Sequence, residues 1–295
     1  MRPTTLRILW VSAALAAFGA LAFAQGAPQG PPGAPPKLNK IRDDLYMIEN
    51  TNANMGDLQY WGGNITFYVT SEGVIMADSK FERAHDDVVA KIKSVTDRPI
   101  KYIVLTHNHG DHADGARKFE SEGAQIIISN DDRANMLRAP NAKWAPSVTY
   151  IGQSRLYLGG KEVQLRQVRG HTRGDTLVYY PAARVISLGD LMTTAETIPN
   201  IVNYGDGGNW TDWETSVNAA LALDWDTAIP GHGPAVTRQQ VISIRDKMVA
   251  VRERVRAMNR DKKPLEEIQA ALVKEFNWGA GPAGGVIAGM LIELR

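Results

Sequence analysis

The amino-acid sequence predicts a mixed α+β (α/β) fold, formed by one domain over residues 37–295. Runs of β-forming residues followed by amphipathic helical segments occur in two successive blocks, which is the pattern of two similar halves. No long linker and no low-complexity segment separates the two blocks. With 295 residues and 44% hydrophobic content, the chain is long enough to bury a core.

The first 36 residues differ in composition from this domain. A positively charged start, an apolar run over residues 8–23 and small residues at Ala22 and Ala24 predict a signal peptide over residues 1–24. A retained anchor is less favoured because the run is short for a span of roughly 20 residues, so we expect no stable membrane insertion after cleavage. Residues 25–36 are rich in Pro and Gly, which predicts a disordered tether. The expected location is periplasmic or secreted.

Charge and cysteine content exclude several classes of function. The chain has 33 basic and 32 acidic residues, interleaved without a basic stripe, so no nucleic-acid partner is expected. The absence of cysteine excludes disulfides, a thiol nucleophile and thiolate metal ligands. The expected partner is a small-molecule substrate, and the sequence does not define an oligomeric state.

The first half begins with short β-rich runs that suggest antiparallel strands, followed by two strand and helix pairs. Pro99 ends the first helix before an apolar run that predicts a buried strand. The predicted strands cover residues 45–48, 65–70, 73–77, 100–105 and 125–129, and the predicted helices cover residues 86–95, 113–121 and 131–138.

The second half returns to strands between residues 148 and 188, with a turn predicted at Gly159 and Gly160. Two capping boxes, Thr211 to Glu214 and Thr237 to Gln240, predict the starts of two helices. The second of these helices has an apolar stripe from Val241 to Met258, which predicts packing on the sheet. Coiled-coil pairing is less favoured because the stripe is short.

Five of the six histidines and two aspartates form a pattern in which all but His107 lie beside Gly or Asp, and each is expected at the end of a β-rich run. His107 and His109 are two residues apart, so both imidazoles can face one ion, whereas Asp111 and His112 can face a second. Metal binding explains this pattern better than isolated structural histidines do. The seven candidates are His107, His109, Asp111, His112, His171, Asp190 and His232.

Three other features have both a functional and a structural interpretation. His85, beside two aspartates at a helix start, is interpreted as an ordinary structural residue. The segment from Tyr60 to Gly63 is either an aromatic lid or, more simply, a turn with a packed Trp. The segment from Asn200 to Trp210 is either the floor of a pocket or a surface loop.

The motif His-x-His-x-Asp-His at residues 107–112, followed by separate His, Asp and His residues, resembles the metallo-β-lactamase superfamily. The resemblance extends from Lys37 to the helix after Pro234. It implies a four-layer αβ/βα sandwich with two metal ions in a groove at one edge. Asp78 matches a carboxylate that the family often keeps near the site, and a role as a turn or cap residue is the equal alternative. The implied ligands are His107, His109 and His171 for the first ion, Asp111, His112 and His232 for the second, and Asp190 as a bridge.

The implied cofactor is a pair of Zn²⁺ ions, since nitrogen and oxygen donors without thiolate suit zinc; iron and manganese fit the same donors. The implied reaction is attack by a hydroxide held between the ions on an ester, thioester, lactone or lactam carbonyl. Asp111 is the candidate catalytic residue for proton relay, and ligation alone is its alternative role.

One residue departs from the best-known lactamases of this family, which have cysteine or serine where Asp190 stands. A bridging aspartate is similar to glyoxalase-II-like thioesterases, lactonases and phosphodiesterases, which favours metal-assisted hydrolysis in general. The alternatives are a β-lactamase proper, an iron-dependent persulfide dioxygenase and a non-catalytic metal-binding protein. His109 stands where flavodiiron proteins have Glu, which disfavours their oxygen chemistry.

Overall fold

The computed structural model describes residues 35–50, 60–138, 142, 144–193, 202–277 and 283–294. The predicted signal peptide and most of the predicted tether lie outside the described residues, so both stay predictions. Within these ranges the strands form two sheets, one seven-stranded and one six-stranded. None of the helices found there has the length and apolar character needed to cross a membrane.

The first sheet has its strands in chain order, antiparallel from β1 to β4 and parallel from β4 to β7. The predicted antiparallel start of this sheet is therefore confirmed. The strands are β1 Lys37–Lys40, β2 Leu45–Glu49, β3 Ile65–Val69, β4 Val74–Ala77, β5 Ile100–Val104, β6 Gln125–Ser129 and β7 Val148–Tyr150.

Four helices accompany this sheet: α1 His85–Lys93, α2 Gly110–Ala113, α3 Ala116–Ser121 and α4 Asn130–Arg138. The prediction of one helix over residues 113–121 was wrong, because the chain is divided at Gly115. A Cβ at Gly115 would lie 2.5 Å from the Ser79 carbonyl oxygen, so only glycine permits this close approach. Asp111 and His112 consequently lie in the short α2 rather than in the turn before a helix.

The second sheet has the order β13-β12-β11-β10-β9-β8. Gly159 and Gly160, with φ of +51° and +78°, form the predicted tight turn between β8 and β9. Strands β11 and β12 are parallel, and the other pairs are antiparallel. The strands are β8 Gln153–Leu158, β9 Lys161–Gln167, β10 Thr176–Tyr180, β11 Val185–Thr193, β12 Thr227–His232 and β13 Val236–Thr237.

The second group of helices comprises α5 Trp210–Leu221, α6 Arg238–Arg260, α7 Leu265–Phe276 and α8 Ala283–Glu293. The capping box predicted at Thr237 is present. The box predicted at Thr211 was wrong: the N-cap of α5 is Asn209, two residues earlier, and its side chain accepts the backbone N–H of Asp212 at 2.7 Å. Thr211 instead donates its hydroxyl to Glu293 of α8, a contact between residues far apart in sequence.

The layers follow from three hydrophobic clusters. Ile75 and Val104 of the first sheet share a core with Val178 and Ile229 of the second, so the two sheets pack face to face. α1 and α3 pack on the outer face of the first sheet. α5 to α8 pack on the outer face of the second. The helix, sheet, sheet, helix order confirms the expected αβ/βα sandwich.

The capping box of α6 provides a test of the fold away from the metal-ligand candidates. Thr237→Ala removes the side-chain acceptor for the Gln240 backbone N–H, and loss of such a cap costs about 1 kcal/mol of unfolding free energy. Urea denaturation measures this cost. Ser243→Ala, at an exposed position of the same helix, is the control and should change stability by less than half as much. Equal losses in both variants would contradict the capping assignment.

Candidate metal centre

The structure brings all seven predicted residues together in two adjacent groups. Within each group, one potential ligand atom from every residue lies within 4.8 Å of the others. His107 follows β5, and His232 is the last residue of β12. The first group is His107, His109, His171 and Asp190, and the second group is Asp111, His112 and His232.

Besides Asp111 and His112, which lie in α2, two of these residues do not lie at strand ends, which corrects the expectation. His171 lies in the loop between β9 and β10, and Asp190 lies inside β11. Asp190 reaches the centre because β11 is irregular there: Gly189 has φ of +53°, and the register with β12 shifts on both sides of Gly189. Gly231 of β12 leaves room for it, since a Cβ at that position would lie 1.9 Å from Asp190 Oδ1.

Asp190 stands between the two groups with one carboxylate oxygen toward each. Its Oδ2 lies 3.6 Å from His171 Nε2 and 4.0 Å from His107 Nε2. Its Oδ1 lies 3.2 Å from His112 Nε2 and 3.5 Å from His232 Nε2. This is the geometry required of a carboxylate that bridges two cations.

The donor atoms fit metal ions. His107 Nε2 is buried and has no hydrogen-bond partner among the described residues. Two pairs of imidazole nitrogens also face each other, His109 Nδ1 with His171 Nε2 at 3.0 Å and His112 Nε2 with His232 Nε2 at 3.3 Å. A buried polar atom without a partner is costly, and a cation would satisfy such converging lone pairs. Nitrogen and oxygen donors of this kind suit zinc, iron or manganese.

Asp78 contacts His112 on the ring nitrogen that faces away from the second group. It is buried with φ of +65°, and its Oδ2 lies 2.9 Å from His112 Nδ1. It also accepts the backbone N–H of Thr106 at 2.7 Å and the Thr106 hydroxyl at 2.8 Å. Thr106 Oγ1 in turn lies 3.1 Å from His107 Nδ1. Of the two interpretations of Asp78, the structure favours the carboxylate that orients the histidines.

Asp206 and Asn203 belong to the centre but were not named from the sequence. Asp206 Oδ2 lies 3.0 Å from His109 Nε2, and Asn203 Nδ2 lies 2.7 Å from the same nitrogen. Both are in or beside the 3₁₀ turn Tyr204–Asp206. The only signal in the sequence was the Gly- and Asn-rich segment after Asp190, of which residues 200 and 201 lie outside the described residues.

The loop carrying His171 depends on two buried aspartates that were also not named. Asp175 accepts the backbone N–H groups of His171 at 2.8 Å and Thr172 at 3.0 Å. The Thr172 hydroxyl lies 2.6 Å from Asp175 Oδ1 and 2.9 Å from Asp132 Oδ2. Burial raises the pKa of Asp132 to about 7 and that of Asp175 well above its ordinary value. Because one hydroxyl proton cannot serve both carboxylates, a protonated carboxyl in this pair completes the network.

The turn from Tyr60 to Gly63 packs directly against the second group. A Cβ at Gly63 would lie 2.1 Å from the His112 ring, and the Gly63 N–H donates to the Asp111 carbonyl at 2.8 Å. Lys80, fully buried, donates its ammonium to the Gly63 carbonyl. Burial lowers the pKa of Lys80 to about 7. Trp61 is buried, so this segment is a packed turn rather than an open lid.

The two groups differ in their protonation before any metal binds. Burial and neighbouring imidazoles lower the pKa of His107 well below its ordinary value, and burial lowers that of His171 to about 4. Burial also acts to lower the pKa of His232, but Asp190 and Asp111 outweigh it and raise this pKa to about 9. Asp111 and Asp190 also outweigh burial at His112 and raise its pKa well above the ordinary value. The second group therefore holds protons that a metal must displace.

Metal binding should consequently release protons mainly from the second group. Ligating imidazoles must be neutral, so affinity for the ion at Asp111, His112 and His232 should rise as pH increases from 6 toward about 9, the pKa of His232. In the first group His171 is already neutral over this range, and the raised pKa of His109 is the remaining source of a proton. Calorimetry in buffers of different ionisation enthalpy counts these protons. If metal affinity at the second group did not change with pH, the assignment of protonated imidazoles to that group would be contradicted.

The support from Asp78 predicts a loss of metal affinity when its charge is removed. Asp78→Asn keeps the size of the side chain but weakens the contact with His112, and loss of such a partner typically costs about 10- to 100-fold in affinity. Competition with a chromophoric chelator measures the change. Asp97→Asn, at an exposed position after α1, is the control. Equal affinity in both variants would show that Asp78 is only a turn residue.

Comparison with known proteins supports the fold. Metallo-beta-lactamase type 2 of Elizabethkingia meningoseptica is 25% identical over 211 residues, which are 70% of this chain and 78% of that protein. The 2,4-dinitroanisole O-demethylase subunit alpha of Nocardioides sp. (strain JS1661) is 26% identical over 146 residues, 48% of this chain. The alignment spans only 43% of the demethylase subunit. The solved structure of a metallo-beta-lactamase from Pontibacter korlensis is 20% identical, with a TM-score of 0.61 over 72% of this chain and 99% of that one.

The family assignment rests on a model of the whole family rather than on single relatives. A family model for the metallo-beta-lactamase superfamily matches residues 59–232. This range is more than half of the chain and contains all seven residues of the two groups. The chain belongs to the metallo-β-lactamase superfamily.

Proposed function

We propose that this protein is a zinc-dependent hydrolase that cleaves an ester, thioester, lactone or lactam carbonyl in a small-molecule substrate. The observation that carries the proposal is the position of Asp190, whose two oxygens face separate groups of imidazoles at 3.2 to 4.0 Å. A carboxylate shared between two groups offsets the repulsion between two adjacent cations, whereas a structural site for a single ion has no use for one.

The geometry supports the ligand assignment implied by the family resemblance. The first ion would have three imidazole nitrogens and one Asp190 oxygen, and the second would have two imidazole nitrogens and oxygens from Asp111 and Asp190. The ligands in order are His107, His109, His171 and Asp190 for the first ion, and Asp111, His112, His232 and Asp190 for the second. Zinc is proposed because imidazole nitrogens and carboxylate oxygens suit it, and elemental analysis would distinguish it from iron and manganese, which fit the same donors.

Two bound ions would activate a water molecule near neutral pH and polarise the carbonyl to be cleaved. The residues of the chain keep this chemistry in a low-dielectric setting, since His107, His112 and His171 are buried. Asp111 Oδ2 lies 3.1 Å from His232 Nε2 and is positioned to ligate. Although burial acts to raise the pKa of Asp111, His112 and His232 outweigh it and lower this pKa, so the carboxylate stays ionised. Ligation is therefore its main role, and any proton it accepts must be passed on at once.

Hydrolysis of β-lactams is the second candidate, because one relative is a metallo-beta-lactamase type 2. The aspartate at position 190 favours the broader group of carbonyl substrates. The deciding experiment is metal quantification followed by a panel of esters, thioesters, lactones and lactams. Oxygen uptake with a persulfide substrate would identify an iron-dependent dioxygenase instead. A metal-loaded protein inactive on every substrate would favour a binding protein.

Two substitutions test the centre as a hydrolytic site. His107→Ala should remove metal from the first group and abolish activity on whichever panel substrate the wild type cleaves, because a buried ligand is lost. Asp190→Asn should lower occupancy of both ions, because the shared charge is lost. Plasma emission spectroscopy and initial rates measure these effects. Full activity of His107→Ala would contradict the site assignment, and His85→Ala, at a buried histidine outside both groups, is the control for loss of a histidine.

A further inference from the structure

The carboxyl-terminal helix α8 contacts the segment that supports His109. The carboxylate of Glu293, in α8, accepts four hydrogen bonds from this segment and from the start of α5. The donors are the Tyr204 hydroxyl at 2.8 Å, the Trp210 backbone N–H at 3.0 Å, the Thr211 backbone N–H at 2.8 Å and the Thr211 hydroxyl at 2.7 Å.

These contacts are those of a cap supplied from another helix. Trp210 and Thr211 are the first two residues of α5, where backbone N–H groups have no acceptor within their own helix. A carboxylate at this end also interacts favourably with the helix dipole. Burial and Glu293 raise the pKa of Tyr204, so its hydroxyl stays protonated and donates a hydrogen bond to Glu293. A Cβ at Gly289 would lie 2.3 Å from the Tyr204 ring, so the ring packs tightly on α8.

The segment held by Glu293 lies against two of the loops that carry ligand candidates. The Asn203 N–H donates to the His171 carbonyl at 2.8 Å, and the Asn209 N–H donates to the Gly170 carbonyl at 3.0 Å. Between these two contacts, Asp206 Oδ2 lies 3.0 Å from His109 Nε2. Displacement of Tyr204 would therefore move Asp206 relative to His109.

We propose that Glu293 is a positioning residue of the metal centre, which holds the Tyr204–Asp206 turn so that Asp206 orients His109 for metal binding. Glu293 thereby sets the metal affinity of the group formed by His107, His109 and His171. The inference rests on the proposed function only in that this group binds an ion. The helix α8 lies outside residues 59–232, so the family match does not assign this role.

The expected loss of affinity depends on how many residues lie between Glu293 and the metal. Loss of a direct partner of a metal-binding histidine typically costs about 10- to 100-fold in affinity. Glu293 acts through Tyr204 and Asp206, so Glu293→Gln should weaken binding at the first group by less than loss of a direct partner does, roughly 5- to 10-fold. The second group, supported by Asp78, should keep its affinity.

The experiment is titration of the metal-free full chain with Zn²⁺ in competition with a chromophoric chelator. Glu293→Gln removes the charge and one acceptor oxygen, and Tyr204→Phe removes only the hydroxyl while its ring stays on α8. Glu275→Gln is the matched control. Glu275 lies on the neighbouring helix α7, and its exposed carboxylate pairs with Arg254 of α6. We expect one of two binding steps to weaken in the first two variants and neither in the control.

A second measurement distinguishes positioning from general stability. Unfolding of the metal-free variants reports any structural loss, and a stability loss with unchanged zinc affinity in Glu293→Gln would overturn the inference. If Glu293→Gln does not fold, Tyr204→Phe provides the test. The inference then requires that the zinc affinity of Tyr204→Phe be lower than that of the wild type. A wild-type chain that binds no ion would overturn the proposed function as well, whereas unchanged affinity in both variants would overturn this inference alone.

Discussion

The position of the Asp190 carboxylate between the two groups is the constraint on which the rest of the centre depends. Five buried or half-buried imidazoles converge on a small volume, and two cations bound there would repel each other unless a negative charge stood between them. The irregular pairing of β11 with β12 places that anion between the two groups, with room made by Gly231. The ligand loops can then approach from both sheets.

Rigidity of the centre comes from contacts made behind the ligands. Asp78 and Lys80 have φ of +65° and +60°, an unfavourable backbone conformation for residues other than glycine. Asp78 uses it to reach His112 and Thr106, and Lys80 uses it to hold the Gly63 carbonyl. Strain of this kind is retained only where the surrounding structure compensates, and here the buried strand β4 and the buried end of β5 do so.

The two groups of the centre are supported by different parts of the fold. The second group depends on Asp78 and the turn at Gly63, both within the first half of the chain. The first group depends on Asp206, and through Tyr204 on Glu293 near the carboxyl terminus. The helices after residue 232 lie beyond the part matched by the family model. The part matched by the family model thus contains all seven residues of the two groups, and one of the later helices contacts the segment that supports the first group.

The sequence alone predicted the fold class, the seven candidate residues and the family, because the features that predict them are local: a His-x-His-x-Asp-His motif, glycines beside His171, Asp190 and His232, and alternating strand and helix periods. Tertiary structure alone decided the support. Asp206 contacts a histidine 97 residues away, and Glu293 caps a helix 82 residues away, so no pattern within either segment predicts the pair. The place of Asp190 inside β11 was likewise decided by strand register, which depends on the neighbouring strand.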